Sequence, residues 1–142
     1  MKWNYDSSQF QTFVQAKTKK KAFKKMKDFR SLEVWKQSHQ LVLNIYQQTE
    51  SLPKSELFGL TSQIRRAATS IPTNIAEGCG RDGEAELGRF LTIAKGSTSE
   101  VEYLLQLAHD LNYIAPETHK KLSTQTVEVR KMLHGLQKSL RR

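Results

Sequence analysis

From Ser31 to Thr49 a stripe recurs as Leu32, Trp35, His39, Val42 and Tyr46, at steps of three and four residues. Val34, Leu41 and Ile45 widen it. That period predicts an amphipathic helix with a face broad enough to pack in a bundle. Ser31 is suited to cap its first turn. The helix has to stop before Pro53, because a residue ahead of proline is pushed out of the α region. A second stripe, Leu60, Ile64, Ala67, Ala68, Ile71 and Ile75, predicts a helix starting at Glu56 or Leu60 and reaching Glu77. Pro72 lies inside it, where its ring crowds the Ala68 carbonyl and removes that carbonyl's partner. The period runs straight through to Ile75, so a kinked but continuous helix is expected. The hydroxyls of Thr69, Ser70 and Thr73 stand near enough to re-satisfy the freed carbonyl.

The segment Gly78–Gly83, GCGRDG, reads as the exit turn, with Gly78 ending the helix and Gly80 within the turn. Asp82 is placed to cap a third helix, with Glu84 and Glu86 in its first turn, where the helix dipole favours acids. Its stripe runs through Leu87, Phe90, Leu91, Ala94, Val101, Leu104, Leu105, Ala108 and Leu111, and Asn112 is a suitable left-handed terminator. Gly96 and its small neighbours Ser97, Thr98 and Ser99 would let another backbone approach, as would the small residues around Pro72. The two patches are expected to face each other or a neighbouring subunit. Pro116 fits the first turn of a last helix with the stripe Leu122, Val129, Leu133, Leu136 and Leu140, helped by Met132. It ends in Arg141 and Arg142, basic groups at a helix C-terminus. The fold class is therefore all-α: an antiparallel up-and-down four-helix bundle over residues 30–142.

Residues 1–29 hold Trp3, Tyr5, Phe10 and Phe13 but no sustained period, and read as a flexible basic arm with a short helix around Phe10–Lys27. Charge separates the two parts. Residues 1–29 carry eight lysines against Asp6 and Asp28, a net +6, and residues 30–142 carry fifteen Lys or Arg against twelve acids, a net +3. Lys17, Lys19, Lys20, Lys21, Lys24, Lys25 and Lys27 fall in one acid-free run, KTKKKAFKKMK. Such a run attracts polyanions through its field and through counterion release. It carries no means of reading base edges, and a merely solvated arm is the competing explanation. One cysteine excludes an intramolecular disulfide. No apolar run is long enough to span a membrane and the first residues lack a secretory core, so a cytoplasmic protein is expected.

Catalysis needs convergent groups, and the sequence offers none. His39, His109, His119 and His134 fall on three helices without HExxH or CxxC spacing, so no metal, cofactor or catalytic residue is expected. His39 sits on the apolar stripe and reads as an interior or interface residue. Cys79 has no partner histidine and reads as a small buried side chain. GCGRDG lacks the GxxxxGK[ST] pattern of a phosphate loop. Glu77 near a helix end needs a cation, with Arg65, Arg66 and Arg81 as candidates. Arg65 and Arg66 could instead form a simple solvated edge, or part of a basic surface shared by an oligomer and RNA.

Three stretches, FRSLEVWKQSHQLVLNIYQQTESLP, FGLTSQIRRAATSIPTNIAEGCGR and RFLTIAKGSTSEVEYLLQLAHDLNYI, closely resemble the S23-type four-helix-bundle proteins encoded in intervening sequences of bacterial 23S rRNA genes. The resemblance covers roughly residues 29–140. It implies a homopentameric bundle without established catalysis. It also implies likeness in fold to the accessory variability determinant of diversity-generating retroelements, a basic pentameric barrel that works with a reverse transcriptase and RNA. Leu32 to Trp35, Phe58 to Leu60, Gln63, Arg65, Arg66, Ile71, Pro72, Asn74 to Gly78, Gly80, Arg81, Arg89 to Leu91, Gly96 and Ser97 carry the family pattern. Most are packing, kink and turn residues. The arginines, Arg65, Arg66, Arg81 and Arg89, are the candidates for RNA, DNA or partner contact. Five copies at +9 each would carry +45. Two departures stand out: Cys79 replaces an aromatic, and Asp82-Gly83-Glu84-Ala85 replaces a more basic, serine-rich start to the third helix.

Overall fold

The computed structural model describes residues 7–141 of the chain, so Trp3 and Tyr5 of the arm and the terminal Arg142 lie outside the described residues. Five α-helices follow one another: α1 (Ser7–Met26), α2 (Glu33–Thr49), α3 (Leu60–Gly80), α4 (Glu84–Asp110) and α5 (Pro116–Leu140). No strand occurs among the described residues. Helices α2 to α5 form the bundle, with α3 on α4, α4 on α5, α2 on α3 and α2 on α5. Cross-helix contacts fix an antiparallel order. Gly78 near the end of α3 faces Leu87 and Phe90 near the start of α4. Gln137 Nε2 near the end of α5 donates to the Gly88 carbonyl near the start of α4, and Asn44 Nδ2 in the second half of α2 donates to Gln125 Oε1 in the first half of α5. Among the described residues no helix is long and apolar enough to cross a membrane.

The core is a column of aliphatic side chains. Leu41, Ile45, Ile64, Ile71, Ile75, Leu87, Leu91, Leu105 and Leu133 are all but completely removed from solvent. In α3, α4 and α5 most of the expected stripe is buried, but Leu111 is half exposed and Met132, Leu136 and Leu140 are only partly buried. The buried polar positions Thr61, Ser97, Thr98, Thr126 and Gln137 lie outside the stripe. In α2 the buried face is Val34, Ser38, Leu41, Val42, Ile45 and Thr49. The helix is thus rotated from the expected stripe: His39 and Tyr46 are exposed and Trp35 is half-buried. His39 is not an interior residue; its ring stacks on Trp35 with centroids 5.0 Å apart. Large rings at the edge of a face cover apolar surface while keeping a polar tip wet, and in a period count they look like core.

Helix ends account for the other differences. Ser31 does not cap α2. It belongs to a 3₁₀ turn, Phe29–Ser31, whose own cap is Asp28, and α2 starts from Leu32 without a side-chain cap. Nor does Asp82 cap α4; that position is Gly83, at φ +88°, which favours glycine. Asn112 does terminate α4 in the left-handed region, at φ 63°. The Tyr113 N–H reaches the Ala108 carbonyl and the Asn112 N–H the His109 carbonyl, each at 2.9 Å, the paired bonds of a Schellman motif.

Helix α3 runs unbroken through Pro72 and on to Gly80, so Gly78 is not its terminator. Gly78 is buried against α4. A Cβ added there would stand 2.8 Å from Phe90 Cβ and 3.0 Å from Leu87 Cδ1, closer than such atoms come. The residue is glycine because two helices touch at that point. Gly96, expected as a close-approach residue, instead faces open space, and the contact between the two small-residue patches is made one residue on, by Ser97 to Ser70. The expected hydroxyls do not answer the Ala68 carbonyl that Pro72 frees. Thr69 Oγ1 donates to the Arg65 carbonyl and Thr73 Oγ1 to the Thr69 carbonyl. Asn74 Nδ2 donates to both the carbonyl and the Oγ of Ser70, which links the segment around Pro72 to α4 through Ser97.

Candidate nucleic-acid and partner surfaces

Helix α1 extends from the 3₁₀ turn and covers Ser7–Met26, starting three residues earlier than the Phe10–Lys27 expectation. Along it, Lys17, Lys20, Lys21, Lys24 and Lys25 recur at i, i+3, i+4, i+7 and i+8, the spacing of one helix side, and Lys19 falls on the opposite side. Lys17 and Lys20 are exposed, as is Lys27 just past the helix end. The side chains of Lys19, Lys21, Lys24 and Lys25 are outside the described set. The Lys17 ammonium lies 5.0 Å from the centre of the Phe13 ring. Folding the run into a helix converts a linear charge density into a ridge. Like charges at i and i+4 repel and destabilise a free helix by a few tenths of a kcal/mol per pair. A polyanion laid along the ridge removes that cost.

The four candidate arginines are placed differently from one another. Arg65 donates from Nε to Thr49 Oγ1 at 2.9 Å and from Nη2 to the Tyr46 carbonyl at 3.2 Å, with its guanidinium 4.6 Å from the centre of the Tyr46 ring. It therefore satisfies the open C-terminal turn of α2 and ties α3 to it. Arg81 pairs with Glu77 at 3.3 Å, which answers the need for a cation beside that carboxylate. Arg89 pairs with Glu86 at 3.2 Å. Both guanidiniums also sit over the Phe90 ring, at 5.3 and 4.6 Å from its centre, so the α3–α4 turn holds a buried phenylalanine beneath two cations that already have carboxylates. Arg66 is exposed, as Arg81 and Arg89 are, but has no bonded side chain among the described residues.

Arg66 borders a shallow groove of about 700 Å³ along α3, shared with Tyr46, Phe58, Ser62, Thr69 and Asn74. Phe58 at one end is 94% exposed. A second groove, between α2 and α3, holds about 540 Å³ and is walled by Phe29, Trp35, Leu43, Tyr46, Pro72 and Ala76. Neither groove was visible in the sequence. The available signal is the ring spacing Trp35, His39 and Tyr46 of α2, which coincides with its apolar stripe.

Nothing among the described residues gathers into a metal site. The His109 and His119 rings stack with centroids 4.6 Å apart, and Asp110 Oδ1 lies 3.3 Å from His109 Nδ1; His39 and His134 stand on α2 and elsewhere on α5. Cys79 is buried. Burial pushes its thiol from 9.0 up to about 11, and the Asp28 carboxylate adds to the shift. A thiolate is the reactive form, so at pH 8 this thiol should react with a disulfide reagent roughly 100-fold more slowly than a free cysteine. A native state that raises this pKa prefers the neutral thiol. Its contribution to stability holds below pH 9.0 and is lost as the pH climbs toward 11. Alkaline titration of unfolding should show that loss in the wild type and not in Cys79→Ala.

The model of the 23S rRNA-intervening sequence protein family matches residues 30–135. The chain belongs to that family. The matched span starts after α1, so the lysine ridge lies outside it. Among solved structures, a crystal structure of a protein of unknown function from the S23 ribosomal protein family of Bacteroides thetaiotaomicron is similar, with 27% identity and a TM-score of 0.69. The likeness covers 74% of this chain and 95% of that one. No curated protein sequence matches the chain.

Proposed function

We propose that this 23S rRNA-intervening sequence family member is a non-enzymatic, homo-oligomeric scaffold that binds nucleic acid, RNA or DNA, in the cytoplasm. The observation that carries the reading is the lysine ridge of α1, in which five of the six lysines from Lys17 to Lys25 share one helix side. Such a ridge holds phosphates without reading bases, so binding is expected to be insensitive to sequence. The resemblance adds a pentamer as the assembly and a reverse transcriptase as the kind of partner. Arg66 is the bundle arginine placed to extend the contact, since Arg65, Arg81 and Arg89 have partners within the chain.

The test is binding of labelled single-stranded RNA and duplex DNA across a salt series, for the full chain and for a chain starting at Arg30. Affinity should fall steeply with salt, with a log–log slope near −0.9 per phosphate neutralised on duplex DNA, and truncation should remove most of that slope. No binding by the full chain at low salt would overturn the nucleic-acid reading. The competing reading, a protein-interaction bundle with no nucleic-acid role, draws on the almost fully exposed Phe58 and the half-exposed Leu57 beside it. It expects a Phe58→Ser chain to lose a protein partner while polyanion binding is absent throughout.

A further inference from the structure

The α2–α3 groove and the far half of α1 match each other in length and in character. No Lys, Arg, Asp or Glu lines the groove, and Leu43 and Tyr46 on its wall remain 49% and 43% exposed. From Trp35 to Tyr46 the wall follows α2 for about 16 Å, at 1.5 Å per residue. Helix α1 is divided by charge. Its first part, Ser7–Ala16, reads SSQFQTFVQA and has no ionisable side chain, whereas Lys17 to Lys25 holds six lysines. The uncharged part is about 15 Å long. Its Phe13 and Val14 are 57% and 45% exposed, so apolar surface of both partners stands in water.

The chain's own arm is not placed to make this contact. Helix α1 joins the bundle through Asp28 and Phe29, and Phe29 is itself part of the groove's wall. An arm folded back from there would lay its lysine half along the apolar wall first and carry the uncharged half about 15 Å beyond. The arm of another molecule can enter with its uncharged part in register.

We propose that the uncharged half of α1, centred on Phe13 and Val14, seats in the α2–α3 groove of a second copy of this chain. Each molecule then offers one arm and one groove, a head-to-tail contact that closes into a ring when the rotation between neighbours allows. The lysine ridge stays outside the groove, and adjacent ridges line one rim of the assembly. This deepens the self-association part of the reading above and rests on it.

The experiment uses the full-length chain. Light scattering on the wild type should give a multimer, and Phe13→Asp and Leu43→Asp should each lower its mass. Phe13 is a solvent-exposed arm residue, so its substitution tests the contact without loading the bundle core. A second measurement co-expresses one chain carrying Phe13→Cys with another carrying Leu43→Cys and oxidises them. A disulfide joining the two different chains is expected, with the wild type, whose one cysteine is buried, as the control. An unchanged mass in Phe13→Asp, or a bridge that forms within one dilute chain carrying both cysteines, overturns arm exchange and leaves self-association by another face standing. A monomeric wild type overturns both.

Discussion

Gly78→Ala should lower stability even though alanine is the better helix former. The new Cβ would meet Phe90 Cβ at 2.8 Å, an atom fixed to the backbone of α4, so relief requires the two helices to part. Overpacking of this kind costs typically about 1–3 kcal/mol, against up to about 1 kcal/mol returned by alanine's helix propensity. A net loss near 1 kcal/mol is expected for alanine, and one at the upper end of the overpacking range for Gly78→Leu. Urea denaturation checks both, with Gly80→Ala as the internal control. Gly80 is in the same helix with nothing within 4 Å of an added Cβ, so its substitution should leave the midpoint unchanged or raise it. A stabilised Gly78→Ala would mean that the glycine serves chain direction and not helix contact.

The second large effect is expected at the lysine ridge. Replacing Lys17, Lys20, Lys21 and Lys24 together by glutamine removes four phosphate-neutralising groups from one helix side, and glutamine keeps a similar helix propensity. The log–log salt slope for single- or double-stranded nucleic acid should fall by roughly 3, at 0.7–0.9 per contact. The control removes the same charge elsewhere: Lys120, Lys121, Lys131 and Lys138, all exposed on α5, changed together to glutamine. The α5 quartet should alter the slope little. Equal loss in both variants would show that binding follows net charge, and the ridge would have no special part. Circular dichroism supplies a separate readout. Polyanion should raise the helix signal of the wild type, where it relieves lysine–lysine repulsion, and leave the ridge variant flat.

The helical bundle was legible because α3, α4 and α5 obey a single period that marks most of their buried apolar residues, though not the buried Thr126 and Gln137 of α5. The Asn112 terminator and Pro116 at the first turn of α5 were legible for a different reason: each residue type has one strong local preference. The rotation of α2 was not, since Trp35 and Tyr46 count as apolar in a period whether they fill a core or edge a groove. Gly78 and Gly96 show the limit most clearly. A glycine that ends a helix, one that admits a neighbour and one that faces solvent have the same letter, and only the opposite helix distinguishes them. Arg65, Arg81 and Arg89 take partners within the chain from Tyr46, Thr49, Glu77, Glu86 and Phe90, and of these the sequence alone points only to Glu77.

The antiparallel order has a geometric corollary for how the molecule meets a charged object. Helix α1 joins at the end where α2 and α4 begin and α3 and α5 finish, and the Leu57–Phe58 corner lies at the opposite end, beyond the last turn of α2. Helix α4 sets the distance between the two ends at about 40 Å. The protein is therefore bipolar along its long axis. An electrostatic torque turns the lysine-bearing end toward an anionic surface and leaves the phenylalanine corner pointing away from it.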